Sequence, residues 1–311
     1  MSSSNKLIVS VSPHIHSGET SARIMWLVSL SLFPAGVAGV LIFGLASFWA
    51  ILVSIVCAVL TEAVIQRLRR RDITVSDGSA ALTGLLLAYC LPSTVPLWLV
   101  ACGAFVAIAI GKQAFGGLGQ NIFNPALVGR AFLLAAWPTQ MTTWARPGSV
   151  FDGITSATPL ADGFAGSTYR DLLLGNRGGC IGEVCIIALL AGALFLLMSG
   201  IISWHIPSSF IVTVGIFTWA FGGRAYFSGE WLLHILSGGL ILGAFFMATD
   251  YVTSPLTNKG RLIFGFGCGL FTSVIRLWGG YPEGVCYAIL LMNAAAPLID
   301  RHTKPRRFGA K

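Results

Sequence analysis

Charged residues are scarce in this chain of 311 residues, and their scarcity excludes several classes of protein. Only 10% of the residues are charged and 55% are hydrophobic, whereas about a quarter of an ordinary soluble domain is charged. Such a chain cannot cover a water-facing surface, remain disordered, or present the basic face of a nucleic-acid-binding domain. We therefore predict an integral membrane protein that contacts the lipid bilayer and binds no nucleic acid.

Metal-ligand patterns are also missing. The seven cysteines include no Cys-x-x-Cys pair and the five histidines form no ligand set, so neither a metal site nor a disulfide framework is indicated. Residues 1–21 are polar and lack the apolar core of a signal peptide. We expect them to form a short tail before the first span.

Apolar stretches that suit a bilayer recur along the chain. A hydrocarbon core of about 30 Å needs about 20 helical residues. We count ten candidate spans, five on each side of the polar stretch 138–180: 24–43, 48–65, 80–91, 97–111, 125–137, 181–199, 207–221, 231–247, 262–278 and 284–299. Of these, 24–43, 48–65, 181–199 and 231–247 read as full continuous spans. The fold class predicted is all-α and polytopic, with membrane halves at 22–137 and 181–300.

The distribution of cations predicts the orientation. On a ten-span model, 14 of the 20 lysine and arginine residues fall on the side of both chain ends. The positive-inside rule then places both termini in the cytoplasm, including a basic tail at 301–311, and the loop 138–180 outside. Net charge is therefore a topology signal and not a sign of an anionic partner.

An odd number of spans in each half predicts that the halves are inverted relative to each other. Inverted repeats place sites at the midplane, where broken helices meet. The candidate broken elements are 76–91 and the glycine-rich stretch 116–125, GGLGQNIFNP. The glycines permit close backbone approach at a site, or equally close packing of helices.

The predicted external loop contains a motif that indicates a chemical modification, Asp152-Gly-Ile-Thr155-Ser156-Ala157-Thr158-Pro. Thr158 precedes proline, which holds it extended, and Ala157 leaves its hydroxyl open. The ordinary interpretation is a Ser/Thr-rich turn. The spacing D-x-x-[ST]-x-A-T, however, resembles the signal at which a transferase joins FMN to the last threonine through a phosphodiester. Ser156 departs slightly from the glycine often found at its position.

Further motifs extend this resemblance over almost the whole chain. They are SPHI at 12–15, IM at 24–25, DGSA at 77–80, LTG at 82–84, GGLG at 116–119, NIFNPA at 121–126, MATD at 247–250, SP at 254–255, YPEG at 281–284 and LMN at 291–293. With the Thr158 motif, they make the sequence similar to the RnfD family, the membrane proteins of the Rnf complex. More distantly, it resembles NqrB of the Na-translocating NADH:quinone oxidoreductase.

The resemblance implies an electron-carrying subunit of an ion-translocating ferredoxin:NAD oxidoreductase, which couples electron transfer to Na⁺ or H⁺ movement. It implies covalent FMN on Thr158, with Asp152, Thr155, Ser156 and Ala157 orienting or shaping the acceptor segment, and a possible second, noncovalent flavin (riboflavin) without assigned residues. It also implies a bacterial inner membrane location, partner proteins RnfA, RnfB, RnfC, RnfE and RnfG, a flavin transferase during maturation, and a fold similar to urea and ammonium channels. No catalytic or metal-binding residue of its own is expected.

Several ionisable residues near the spans have two interpretations each. Glu62, Asp77, Asp250 and Glu283 are candidates for an ion path, or they cap and terminate helices. Arg130, within a span, neutralises a flavin or an acid, or forms a structural pair.

Two rival functions share the same spans. A channel or transporter for a small solute would have inverted halves and glycine-rich broken helices, and a passive scaffold would anchor redox partners. Neither needs the Thr158 motif.

Overall fold

The computed structural model describes residues 20–145, 147, 155–156, 158, 160, 168–223, 225–280 and 283–304. The helices in this part are α1 (Ser21–Phe43), α2 (Leu45–Leu68), α3 (Ser79–Tyr89), α4 (Leu97–Ile108), α5 (Pro125–Ala136), α6 (Pro138–Met141), α7 (Tyr169–Leu174), α8 (Ile186–Met198), α9 (His205–Phe221), α10 (Trp231–Ile235), α11 (Leu240–Leu242), α12 (Asn258–Trp278) and α13 (Val285–Thr303). A 3₁₀ turn (Val75–Asp77) precedes α3, and π-helical turns (Ala109–Gln113 and Gly243–Met247) continue α4 and α11. The helical prediction is confirmed, apart from one antiparallel pairing of two-residue strands, β1 (Trp144–Ala145) with β2 (Thr155–Ser156).

In the part of the chain that the structure describes, three helices are long and apolar enough to cross a membrane. They are α1, α2 and α12, with 23, 24 and 21 residues, and at 1.5 Å per residue each exceeds about 30 Å. Among the described residues, α3, α4 with its π turn, α5, α8 and α9 are apolar but shorter. The chain is therefore a helical membrane protein, while the count of ten spans stays a prediction.

The helices pack in the same order in the two halves of the chain. In the first half, α2 contacts α3 and α4, and α4 contacts α5. In the second half, α9 contacts α10 and α12, and α12 contacts α13. The halves meet through α1 with α8 and through α5 with α13. This correspondence is the pattern expected of a structural repeat.

The prediction of one continuous span over 231–247 is wrong. The stretch is broken between α10 and α11, where Gly238 and Gly239 have φ of 65° and 66°, a conformation that side-chain-bearing residues rarely adopt. A Cβ on Gly239 would overlap the carboxylate of Glu183, and one on Gly238 would meet Leu160 and Arg276. The break therefore brings the backbone close to charged side chains and to the segment that carries Thr158.

The predicted span 181–199 is shorter than expected, because α8 begins only at Ile186. The residues before it form a turn on the end of α3, where Ile181 N donates to Leu91 O and Gly182 N donates to Tyr89 O, both at 3.0 Å. A Cβ on Gly182 would overlap the Tyr89 ring, so this turn lies directly on α3.

The glycine-rich stretch 116–125 forms a loop and not a packing surface. Gly116, Gly117 and Gly119 have φ of 126°, 109° and 89°, and a Cβ on Gly117 or Gly119 would meet no atom within 4 Å. The helix-packing interpretation is therefore wrong for these two glycines, which serve the backbone conformation. The loop ends at Asn124, whose side chain accepts from Ala126 N and so caps α5.

The crossing of α1 and α8 gives a test of this packing. A Cβ on Gly192 of α8 would overlap the carbonyl oxygen of Ser31 on α1, and backbone atoms cannot move aside as side chains do. We expect Gly192→Ala to lower the free energy of unfolding by about 1–3 kcal/mol, measured as the thermal unfolding midpoint in detergent. Gly215→Ala on α9 is the matched control, because its methyl would meet only side-chain atoms, of Ile235 at 3.3 Å and of Trp231 at 3.9 Å. Equal midpoints for the two variants would contradict this packing.

Candidate functional site

Thr158 lies in a cavity and not on an open loop surface. Its side chain is only 5% exposed, and the cavity beside it has a volume of about 400 Å³. The lining residues are Thr158, Leu172, Arg177, Gly178, Gly179, Glu183, Val184, Leu236, Ser237, Gly238 and Glu283. Thr158 and residues of the break between α10 and α11 therefore line the same cavity.

The other motif residues are described only in part. Thr155 and Ser156 form β2, in register with Ala145 and Trp144 respectively, which extends the backbone leading to Thr158. Asp152 and Ala157 lie outside the described residues. The roles assigned to these four residues stay predictions.

Two residues that line this cavity each have a polar atom without a hydrogen-bond partner in the described part of the chain. Ser237 is 5% exposed, and its Oγ has no hydrogen-bond partner among the described residues; the same holds for Nη1 of Arg177, which is also buried. Buried polar atoms are normally paired, because an unpaired one keeps its desolvation cost. These two atoms thus mark a place where the cavity offers donors to a group of another molecule.

Arg130 forms the charged centre next to this cavity. Its Nη1 donates to Oε1 of Glu183 at 3.2 Å, and its Nη2 donates to Oε2 of Glu283 and lies 3.8 Å from Sγ of Cys180. Arg130 is 5% exposed. Arg130 therefore pairs with two acids. One of them, Glu283, is a candidate for the ion path.

Arg276 of α12 holds the backbone at the helix break. Its guanidinium donates to four carbonyl oxygens, those of His234 (2.6 Å), Ser237 (3.0 Å), Gly238 (3.2 Å) and Glu283 (3.0 Å). Carbonyls freed at the end of a helix need such donors, and a cation there also interacts favourably with the helix dipole. Arg276 therefore stabilises the turn that carries Gly238 and Ser237.

Sequence reasoning misses Glu183 and Arg276 as site residues. Glu183 falls inside a predicted span, and an acid within a span is a signal of function by itself. Arg276 enters the sequence argument only as a cation near the external face. Nothing in the sequence pairs either residue with Arg130 or with the helix break.

The same centre contains a group of potential metal ligands. One ligand atom from each of Cys180, Glu183 and Glu283 lies within 4.8 Å of the others. Arg130 contacts all three residues, so a side-chain cation already supplies the positive charge there. A metal ion at this position would have to displace the guanidinium.

A second and larger cavity lies near the start of α5. Its volume is about 760 Å³, with an apolar wall that includes Ile24, Leu86 and Phe246. The polar lining residues are Ser79, Thr83, Lys112, Asn121, Asn124, Thr249 and Asp250. Asn124 and Ala126 reach this cavity, while Arg130 lies little more than one helical turn further along α5.

A buried ion pair lies at the edge of the larger cavity. Lys112 Nζ is 2.7 Å from Oε1 of Glu62, and both side chains are no more than 2% exposed. Lys112 also donates to Oγ of Ser79 at 2.5 Å, and Gln113 Nε2 donates to Glu62 at 2.9 Å. Lys112 is therefore the partner of a buried acid. In the sequence it counts only as one of the cations that predict the orientation.

The two remaining acids act as local caps. Asp77 accepts from the backbone N and from Oγ of Ser79 at the start of α3, at 2.8 and 2.6 Å. Asp250 accepts from Val252 N and from Thr253 Oγ1 in the turn after α11. The capping interpretation thus describes both, although Asp250 also lines the larger cavity.

Comparison with known proteins places the chain in a family. Residues 8–309 match the model described as "NQR2, RnfD, RnfE family". The chain belongs to this family. It is 50% identical to the D subunit of the proton-translocating ferredoxin:NAD(+) oxidoreductase complex of Clostridium ljungdahlii, over 99% of this chain and 97% of the relative.

Other relatives of this family match over similar lengths. The chain is 50% identical to the D subunit of the Na(+)-translocating ferredoxin:NAD(+) oxidoreductase complex of Acetobacterium woodii, over 97% of this chain and 95% of the relative. It is 40% identical to the D subunit of the ion-translocating oxidoreductase complex of Cronobacter sakazakii, over 97% and 98%. The resemblance seen in the sequence motifs is therefore confirmed.

The centre around Arg130 gives a prediction for stability. Arg130→Gln leaves Glu183 and Glu283, whose side chains are only 8% and 17% exposed, without their shared cation, and breaking a buried ion pair costs about 3–5 kcal/mol, an upper value for these partly buried acids. We expect a clearly lower thermal midpoint in detergent, with partial recovery in Arg130→Gln combined with Glu283→Gln, since that variant has one unpaired charge fewer. Arg170→Gln is the control, because Arg170 is exposed on α7. A midpoint for Arg130→Gln equal to that of the control would show that the centre contributes nothing.

Proposed function

We propose that this chain is the membrane electron-transfer subunit of an ion-translocating ferredoxin:NAD oxidoreductase complex, with FMN attached covalently to Thr158. The observation that carries the proposal is the position of Thr158, the acceptor of the motif, at a cavity that is lined by the cation Arg177. The names of the relatives support the complex, since each is the D subunit of such an oxidoreductase.

The residues at Thr158 fit a phosphorylated cofactor. The cavity offers one guanidinium, one unpaired hydroxyl and a Gly-Gly backbone, at Arg177, Ser237, Gly178 and Gly179, which is a donor set suited to an anion. A bound flavin accepts and passes electrons. The protein's own residues position it: Thr158 supplies the ester oxygen, β1 and β2 hold the segment before it, and Arg276 fixes the backbone opposite.

The larger cavity suits the second, noncovalent flavin. Its mixture of apolar walls with amide, hydroxyl and lysine side chains matches the apolar ring and polar chain of riboflavin. Asn121, Asn124 and Lys112 are the residues we propose to orient it. The start of α5 lines the larger cavity, and Arg130 of the same helix contacts two acids that line the cavity of Thr158.

The proposed topology follows from the cation distribution and the helix packing. We propose ten membrane elements in two inverted halves, an architecture similar to urea and ammonium channels, in the inner membrane of a bacterium. Both termini are cytoplasmic and the Thr158 loop is external. The matching order of helix contacts in the two halves supports a repeat.

The partners and the coupled ion follow from the relatives. We propose assembly with RnfA, RnfB, RnfC, RnfE and RnfG, the other proteins of the complex, and modification by a flavin transferase. The transported ion is H⁺ or Na⁺, the ions named for the relatives of Clostridium ljungdahlii and Acetobacterium woodii at the same identity. The rival of a small-solute channel leaves both the Thr158 motif and the oxidoreductase relatives without explanation.

Attachment of the flavin is tested on a denaturing gel. From cells that contain the transferase, we expect a wild-type band that fluoresces under ultraviolet light and a dark Thr158→Ala band, because alanine offers no ester oxygen. Thr168→Ala is the control, since Thr168 is an exposed threonine outside the motif. Flavin that denaturation extracts from Thr158→Ala would belong to the second site. A dark wild-type band would favour the channel instead.

Orientation is tested by labelling from outside the cell. Thr168 and Lys259 are exposed and lie at the two proposed faces. We expect a membrane-impermeant maleimide to react with Thr168→Cys in intact spheroplasts, and with Lys259→Cys only after lysis. The parent chain measures the background from its seven native cysteines. Labelling of Lys259→Cys before lysis, with Thr168→Cys protected, would invert the proposed topology.

A further inference from the structure

We propose that Arg177 and Ser237 form a binding site for the phosphodiester group at Thr158, which docks the cofactor-bearing segment against the break between α10 and α11. The inference rests on the proposed function, because the phosphodiester belongs to the FMN attached there. It adds the residues that hold the linkage after attachment.

The first argument is the pair of unpartnered donors. Ser237 Oγ and Arg177 Nη1 are buried without a hydrogen-bond partner among the described residues, and both residues line the cavity that Thr158 also lines. A hydroxyl and a guanidinium are both donors, and a phosphodiester has two unesterified oxygens that accept. One anionic group would thus satisfy both.

The second argument is the balance of charge. Glu183 and Glu283 line the same cavity, but they share Arg130, and Arg276 lies behind them at the helix break. Among the described residues that line the cavity, Arg177 is the one cation, and the two acids already have Arg130 as their partner. Asp171, a further acid near Arg177, does not line the cavity. A phosphodiester, which carries one negative charge, would complement Arg177.

The surroundings of Arg177 favour the binding of an anion. Burial lowers the pKa of its guanidinium from the ordinary value, and the carboxylate of Asp171 raises it only in part. Removing a cation from water without a paired anion is unfavourable. An anion beside the guanidinium would offset that cost.

The third argument is the close packing of Leu160, two residues after Thr158, against the helix break. Leu160 contacts the position where Gly238 would carry a Cβ, and Gly238 has φ of 65°. Only glycine lets the segment lie so close to the turn that holds Ser237. Because Thr158 is 5% exposed in this arrangement, we assign the site to holding the linkage after attachment.

The test uses the full chain, produced with the transferase and purified in detergent free of lipid and inorganic phosphate. The variants are Arg177→Gln and Ser237→Ala, with Arg177→Lys as the charge-conserving change and Arg170→Gln as the control. Mass spectrometry gives the extent of modification at Thr158. The ³¹P line width and the flavin fluorescence anisotropy report whether the phosphodiester is held.

We expect all four variants to be modified as fully as the wild type. Arg177→Gln should shift the equilibrium from docked to released about 10- to 100-fold, the range for losing a hydrogen bond to a charged group. The ³¹P resonance then narrows and the anisotropy falls. Ser237→Ala should show a smaller change, Arg177→Lys partial retention, and Arg170→Gln none.

Each remaining outcome counts against the proposal. If Thr158 is modified and both readouts in Arg177→Gln and Ser237→Ala equal those of the control, the site is wrong while the proposed function stands. A folded but unmodified Arg177→Gln, checked by its thermal midpoint, would assign Arg177 to attachment and overturn docking. A bare Thr158 in the wild type overturns the proposed function and this site together.

Discussion

The buried guanidinium of Arg130 is the interaction on which the centre of this protein depends. It lies on α5 and contacts Glu183, from the turn before α8, and Glu283, from the segment before α13. Charges away from water are tolerated only when they are paired and hydrogen-bonded. The pairing therefore fixes the relative positions of three segments that are far apart in the chain, and Thr158 lines the cavity beside them.

The break between α10 and α11 lies against that charged centre. Gly239 leaves room for the carboxylate of Glu183, and Gly238 leaves room for Leu160 of the segment that carries Thr158. Arg276 satisfies the carbonyls that the break exposes. Backbone that is not helical is acceptable within a membrane protein only where protein groups or a cavity satisfy it, and here charged side chains and a cavity do so.

A second ion pair has the same role at the other cavity. Glu62 of α2 and Lys112 of the π turn after α4 are both buried and share hydrogen bonds with Gln113 and Ser79. The pair joins α2, α3 and α4 at the wall of the larger cavity. Charged groups thus lie at both candidate cofactor sites: Glu62 and Lys112 at the larger cavity, and Arg130 with its two acids beside the cavity of Thr158.

The sequence by itself determined the class of the protein and its family. Scarcity of charge is a property of composition and the family motifs are short stretches of sequence, so neither needs the tertiary structure. Only the tertiary structure decided the break within 231–247, because an apolar window does not distinguish a continuous helix from two short ones. It also decided the pairing of Arg130 with acids 53 and 153 residues away. Such pairs depend on how helices pack, and packing is determined by contacts that are remote in sequence.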